Sequence, residues 1–468
     1  MITTKTNHRK TSKAVLAGTA LGLATVLTAA GCGSSGSSSS KGSSSKPVTL
    51  TITGDYGSSG FNTTVDWWKA AAVVFKKSHP NVTVKVKNIV TTSESTYYSK
   101  LDLLEHSSST SPNITWEDSF LVKSDASAGY LSPLPTLKSF SEWKAQYPTF
   151  KAMTEFNGTP YSMMVESDVQ QLYYDHSLLA KAGLPSTWKP ASLNDILTAA
   201  EAVKAKDPGI IPFWIYTGTP LGEASSFRGF QVLLDGTSSA LYDTKTDKWE
   251  TGGPGFDQVF NFLAALHQKG LEEPTADWSN PSAGTVLNTQ LMPAQKVAIA
   301  LDGSWVSTEW LKSGPKPWAA GFKTYGVTDV PTYSGQAPGV TNLSGGWSLA
   351  VPSKSNNKAL AQAFIETATS PSLLSHYDGI TGQIPVESNV ASSPSFKNLI
   401  KSDPLFQTAV TYAQHTNYRP GFGPYNQITA DIAAITGNIS LGQMSAAAAE
   451  KAYASDVTSA AGAKNVEK

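Results

Sequence analysis

Val48-Thr-Leu-Thr-Ile-Thr53 alternates apolar and polar residues, the period-two pattern of a strand with one buried face. Gly54-Asp55-Tyr56-Gly57 breaks the alternation. Val65, Trp68, Ala72 and Phe75 then recur at helical spacing until Pro80-Asn81, after which Val82, Val84 and Val86 alternate again. Strand, helix and strand in about forty residues make a βαβ unit, whose crossover is nearly always right-handed.

Working outward, the same alternation recurs. Ser192 reads as an N-cap with Asp195 three residues on, followed by Ile196, Leu197, Ala200 and Val203 on one face. Val259, Phe262, Leu263 and Leu266 mark a helix stopped near Gly270, and Leu360, Phe364 and Ile365 mark another, opened by Asn356 or Asn357. Short strands such as 297–301 and 348–351 lie between helices. The pattern predicts an α/β fold with mainly parallel sheets. No internal repeat is present, and the Pro- and Gly-rich stretches 208–222, 312–321 and 331–346 read as loops. Open parallel sheets bind ligands beyond the carboxyl ends of their strands. Asp55 falls at such an end, as do Trp116 and Asp118 after Pro112-Asn-Ile-Thr115, and Asp302 and Trp305 after strand 297–301.

The chain's 468 residues suffice for two or more domains at roughly 100–200 residues each. Lys+Arg and Asp+Glu both number 36, so no polyanionic partner such as nucleic acid is indicated. Lys5, Arg9, Lys10 and Lys13 precede an uncharged apolar run, 14–30, and small residues then lead to Cys32. This is the layout of a secretory signal peptide. Leu27-Thr-Ala-Ala-Gly-Cys32 resembles a bacterial lipobox, with Ala29 where a branched apolar residue is usual. The resemblance implies a signal peptide over 1–31 and a lipid on Cys32; the alternatives are an ordinary secreted protein or a single-pass anchor. Without the leader, 32 basic residues face 36 acidic ones, a net of −4. Nine of the fourteen residues 33–46 are Ser, a composition unable to bury apolar area, so 32–46 is expected to be a slack tether. Cys32 is the one cysteine, which excludes an intrachain disulfide and an all-thiolate metal site.

Common catalytic signatures are missing: no H-E-x-x-H, G-x-S-x-G, complete P-loop or Rossmann glycine motif occurs, and no two of the seven histidines sit at i, i+4. Neither a cofactor nor a metal is indicated. A carboxylate pair for glycoside hydrolysis is spatial, and the sequence leaves that alternative open.

Several weak motifs occur in one order: Phe75-Lys-Lys-Ser-His-Pro80, Ser127-Ala-Gly-Tyr-Leu-Ser-Pro-Leu134, Asp168 through Leu172-Tyr-Tyr-Asp-His176 with Lys181-Ala-Gly-Leu-Pro185, Gly303-Ser-Trp305, Tyr325-Gly-Val-Thr-Asp-Val-Pro331, Gly345-Gly-Trp347 and Gly382-Gln-Ile-Pro-Val386. Their collinearity resembles the extracellular solute-binding proteins of sugar-importing ABC transporters, the group that includes maltose-binding protein. The resemblance implies a two-lobed, type II periplasmic-binding-protein-like fold with three hinge crossings. One lobe would span 47–165 plus 331–380, the other 169–328 plus 385–468. It implies a monomer outside the cytoplasmic membrane, tethered through Cys32, that closes on a sugar or oligosaccharide and delivers it to the transmembrane subunits of a permease. A sensor's accessory subunit would keep the fold and change the partner.

Sugar hydroxyls and C–H faces call for aromatic plates beside a few placed polar groups. The resemblance puts Trp305 and Trp347 in or near the cleft, with Trp116 a further plate, each against the reading that large aromatics are core. Asp55, Asp118 and Asp168, with Glu166 adjacent, resemble acidic ligand positions; caps and Asx turns are their structural alternatives. Arg419 and Tyr425, in Tyr418-Arg-Pro-Gly-Phe-Gly-Pro-Tyr425, fall where relatives bring a loop over the ligand.

Overall fold

The computed structural model describes residues 46–54, 63–91, 94–413 and 416–468, and Asp55 and Cys32 lie outside them. The strands used below are β1 (Val48–Gly54), β2 (Val82–Asn88), β3 (Ile114–Asp118), β4 (Ser162–Met164), β5 (Glu166–Ser167), β6 (Gln170–Asp175) and β7 (Ile211–Trp214). They continue with β8 (Val297–Gly303), β9 (Tyr325–Thr328), β10 (Leu343–Ser344), β11 (Trp347–Ala350), β12 (Ile384–Pro385) and β13 (Asn417–Tyr418). The helices are α1 (Thr63–Ser78), α2 (Glu94–Glu105), α3 (Leu193–Lys206), α4 (Pro254–Lys269), α5 (Lys358–Ala368), α6 (Pro371–Thr381), α7 (Tyr425–Ser440) and α8 (Ala446–Ala461).

The opening βαβ unit forms as its pattern predicts. β1 pairs in parallel with β2 from Val48↔Val82 to Gly54↔Asn88, and with β3 at Ile52↔Ile114. The first sheet has the order β2-β1-β3-β11-β4. α1 buries Trp67, Trp68, Ala71 and Phe75, while Val65 and Ala72 stay half-buried. The buried stripe is thus rotated toward Trp67, which stacks on Tyr377 of α6 at 4.7 Å and donates its indole N–H to the Ala368 carbonyl at 3.0 Å.

The second sheet has the order β9-β6-β8-β7. Its helices follow the predicted caps: Ser192 and Asp195 form a reciprocal capping box on α3, and Gly270 ends α4 in the left-handed region. Ile196, Phe260, Ile432 and Tyr453 bring α3, α4, α7 and α8 into one core with Phe213 and Leu301.

Both sheets are mixed. Parallel pairing is confined to β2-β1-β3 and β7-β8, whereas β11 and β6 run antiparallel to their neighbours. These strands enter their sheets from the other sheet instead of through a helical crossover, so nothing requires them to be parallel.

The chain passes between the sheets at 165–169, 329–346 and 382–387. There β5 pairs antiparallel with β12, and β10 pairs in parallel with β13. The Asn342 amide accepts from the Gln170 N–H at 2.9 Å and donates to its carbonyl at 2.8 Å, joining two crossings. Tyr333 and Leu343 pack with the second core, which also takes in Phe120 and Leu121 after β3. Val390, shortly after β12, packs in the first core.

Candidate functional site

A cavity of about 180 Å³ opens where the ends of β3 and β11 face the end of β8. The first sheet supplies Asp118 and Trp347, the turn after β8 supplies Trp305, the helical segment 223–231 supplies Glu223, Phe227 and Arg228, and the crossings and C-terminal loop supply Asp168, Gln383 and Arg419. Five of the nine predicted site residues meet here: Asp118, Asp168, Trp305, Trp347 and Arg419. The space is below the ~300–1,000 Å³ of ordinary ligand pockets, and Arg228 and Arg419 both line it. A larger cavity of about 400 Å³ lies on the other side of the Arg419 segment, lined by Tyr242 and Phe422, and lacks the tryptophan pair.

Arg419 ties the halves together. Its guanidinium donates to Asp118 at 2.5 Å, to Glu223 at 3.1 Å and to the Ser119 hydroxyl at 3.3 Å. The rings of Phe120 and Phe227 lie 4.7 and 4.8 Å from its central carbon. Against the penalty of burial, the Asp118 and Glu223 carboxylates hold the guanidinium well above its usual pKa range. Tyr98 donates to the second Asp118 oxygen at 2.9 Å.

Trp347 is backed by Trp116, whose ring is parallel at 3° and 5.8 Å away. Trp116 therefore supports the plate from behind, 3% exposed, and does not line the cavity. The Gly345-Gly346 pair before Trp347 has a steric cause. Gly346 sits at φ 130°, and a Cβ there would lie 2.1 Å from the Glu166 carbonyl oxygen. Trp305 carries the Arg228 guanidinium over its ring at 4.7 Å, and Arg228 also pairs with Asp302 at 3.5 Å.

Two further predicted residues act from outside the cavity. Tyr425 is buried; its hydroxyl bonds to Glu223 at 3.2 Å and Gln231 at 3.1 Å, so it positions a cleft carboxylate instead of touching the cavity. Glu166 points away from the cavity toward Tyr377, and burial pushes its carboxyl up to about 8. Asp168 accepts from Gln170 at 3.0 Å and from the Gly345 N–H at 3.3 Å. Burial pushes it up to about 6, against the pull of Arg419 and Arg228.

Glu223, Phe227, Arg228 and Gln383 were not anticipated. Glu223–Ser226 runs into a π-helical turn, Phe227–Gln231, and such turns interrupt helices at functional sites more often than elsewhere. One signal was available. The chain holds three arginines, and the two beyond the leader, Arg228 and Arg419, both line the cavity. Lysine supplies the remaining basic residues, while the guanidinium is kept for a desolvated site where planar, forked donors matter. Gly229 allows the turn to approach the second sheet, since a Cβ there would lie 1.8 Å from the Tyr216 carbonyl oxygen. Gly229→Ala is expected to lower stability by about 1–3 kcal/mol in urea denaturation and to displace Arg228, through overpacking.

Along the crossings, Glu166, Asp378 and Glu387 form a buried carboxyl group cluster, with Glu387 pushed up to about 9 by burial and by Glu142. A carboxyl whose folded pKa is raised keeps its proton in the folded state after the unfolded chain has released it. Its contribution is present below the unfolded pKa and is lost as pH rises through about 8–9. The melting temperature is accordingly expected to fall by on the order of a few degrees between pH 5 and pH 9. Glu387→Gln should flatten that slope in a pH series of thermal melts.

A family model described as bacterial extracellular solute-binding protein matches residues 70–408. Among solved structures, the chain is similar to the GacH receptor of Streptomyces glaucescens, solved unliganded and with acarbose (TM-score 0.73, 22% identity, 90% of this chain and 100% of that one). It is also similar to an ABC transporter solute-binding protein of Thermotoga lettingae bound with α-D-tagatose (0.72, 21%, 89% and 100%). A third is the cyclic α-maltosyl-1,6-maltose binding protein of Arthrobacter globiformis (0.69, 20%, 88% and 99%). The two mixed sheets, the three crossings and the cavity between them match this fold. Together with the family match, they make the chain a binding protein and not an enzyme: it belongs to the bacterial extracellular solute-binding proteins.

Proposed function

We propose that this protein is the substrate-capturing component of a carbohydrate ABC importer. Its two halves close on a sugar or oligosaccharide, and the closed complex docks on the permease's transmembrane subunits. The observation that carries the reading is the cavity wall: Trp347 at the start of β11 and Trp305 just after β8, beside carboxylates and guanidiniums of the kind that can pair with hydroxyls. A lipid on Cys32 and the Ser-rich tether would hold the folded part at the outer face of the cytoplasmic membrane as a monomer. The structural neighbours solved with acarbose and with tagatose, and the one named for binding cyclic α-maltosyl-1,6-maltose, support this substrate class.

Closure is driven by the ligand's differential affinity for the closed state. Hydroxyl pairs at about 1 kcal/mol net each, added to aromatic contact, are consistent with micromolar binding, about −8 kcal/mol. Calorimetric titration with tagatose, maltose and mannobiose tests the reading. At least one is expected to bind in the micromolar range, and failure of all three, followed by tight binding of an amino acid or peptide, would refute it. Trp305→Ala is expected to weaken that binding about tenfold, with its thermal melt close to wild type.

A further inference from the structure

Among the described residues, the charges at the cavity do not balance. Asp118, Asp168, Glu223 and, immediately behind, Asp302 stand against Arg228 and Arg419. Two arginines in a cleft would ordinarily point to an acidic ligand. Here both are engaged: Arg419 lies between Asp118 and Glu223, and Arg228 lies on Asp302 and over the Tyr216 and Trp305 rings. Asp168 differs from the other three carboxylates. Among the described residues it has no ion pair, and its hydrogen bonds from Gln170 and Gly345 both go to one oxygen, Oδ1. Its other oxygen is left for whatever enters, in a cavity that Trp347 also lines.

Resting on the carbohydrate reading above, we infer that the cleft takes a saccharide bearing a free amine, whose ammonium seats on Asp168, and that it refuses uronates and phosphosugars. An ammonium there halves the negative excess and meets an aromatic face, the combination that favours cations in partly desolvated sites. An added anion finds no unengaged guanidinium and adds to an existing negative excess at low dielectric. Above about pH 6 the Asp168 carboxyl is charged, so the recognition is available at neutral pH.

The test is calorimetric titration of the protein with matched triplets: glucose, glucosamine and glucuronate, then the corresponding galactose and mannose series. In any series that binds, the amine is expected to bind at least tenfold tighter than its neutral parent, and the acid at least tenfold weaker. In Asp168→Asn, shown to be folded by its thermal melt, the amine-to-parent ratio should collapse to about one. An acid that binds as well as its parent, or an amine advantage that survives Asp168→Asn, overturns the inference and leaves the carbohydrate reading standing. Silence across all nine probes, with tight binding of an amino acid or peptide instead, removes both.

Discussion

Arg419→Ala is expected to cost about 3–5 kcal/mol of folding stability, because it leaves Asp118 and Glu223 as buried carboxylates without their cation. The loss also removes two ring contacts, with Phe120 and Phe227. Saccharide affinity should fall at least a hundredfold, since the residue links the first sheet, the second sheet and the C-terminal loop across the cavity. Arg419→Lys should recover only part of either quantity: an ammonium is a point charge and cannot fork between two carboxylates. Asp118→Asn combined with Arg419→Ala separates packing from charge. If the pair acts as drawn, the double variant is more stable than the sum of the singles predicts, with a coupling above about 1 kcal/mol in urea denaturation.

Trp347→Ala is the second large effect. The ring lines the cavity on one side and rests on Trp116 on the other, so its removal deletes a contact surface and exposes the indole behind it. Hot-spot aromatics of this kind are worth about 2 kcal/mol or more, which corresponds to about a thirtyfold loss of affinity. Trp347→Phe keeps a plate on Trp116 and is expected to recover most of the binding. Trp188→Phe, in the second core and not among the residues lining the cavity, serves as the control and should leave the titration unchanged.

Much of this arrangement was legible in the chain, for physical reasons that differ by element. The period-two runs of β1 and β2 and the capping box at Ser192 are local signals, and local signals survive folding. The rotation of α1 toward Trp67 was not legible, because it depends on Tyr377 and Ala368, some three hundred residues away. Strand direction was missed at β6 and β11 for the same reason: direction follows from where a crossing enters a sheet, and no local residue pattern encodes that. At the site, Asp118 and Trp305 could be read from strand ends, and Trp347, Asp168 and Arg419 from motifs in order. Trp116 and Tyr425 were assigned to the cleft because residue type cannot distinguish a plate from its backing, or a ligand contact from the group that positions one. Arg228 sits in a π turn without periodicity, and the scarcity of arginine was the clue that pointed to it.

The central claim is a solute held between the two sheets and gripped from both. A crystal structure of the protein with the saccharide that binds best in titration examines this directly. The account predicts electron density for the sugar against Trp347 from the first sheet and Trp305 from the second, within hydrogen-bonding distance of Asp168 or Arg419. Density for the ligand in the larger Tyr242–Phe422 cavity, with the tryptophan-lined space empty, would contradict it.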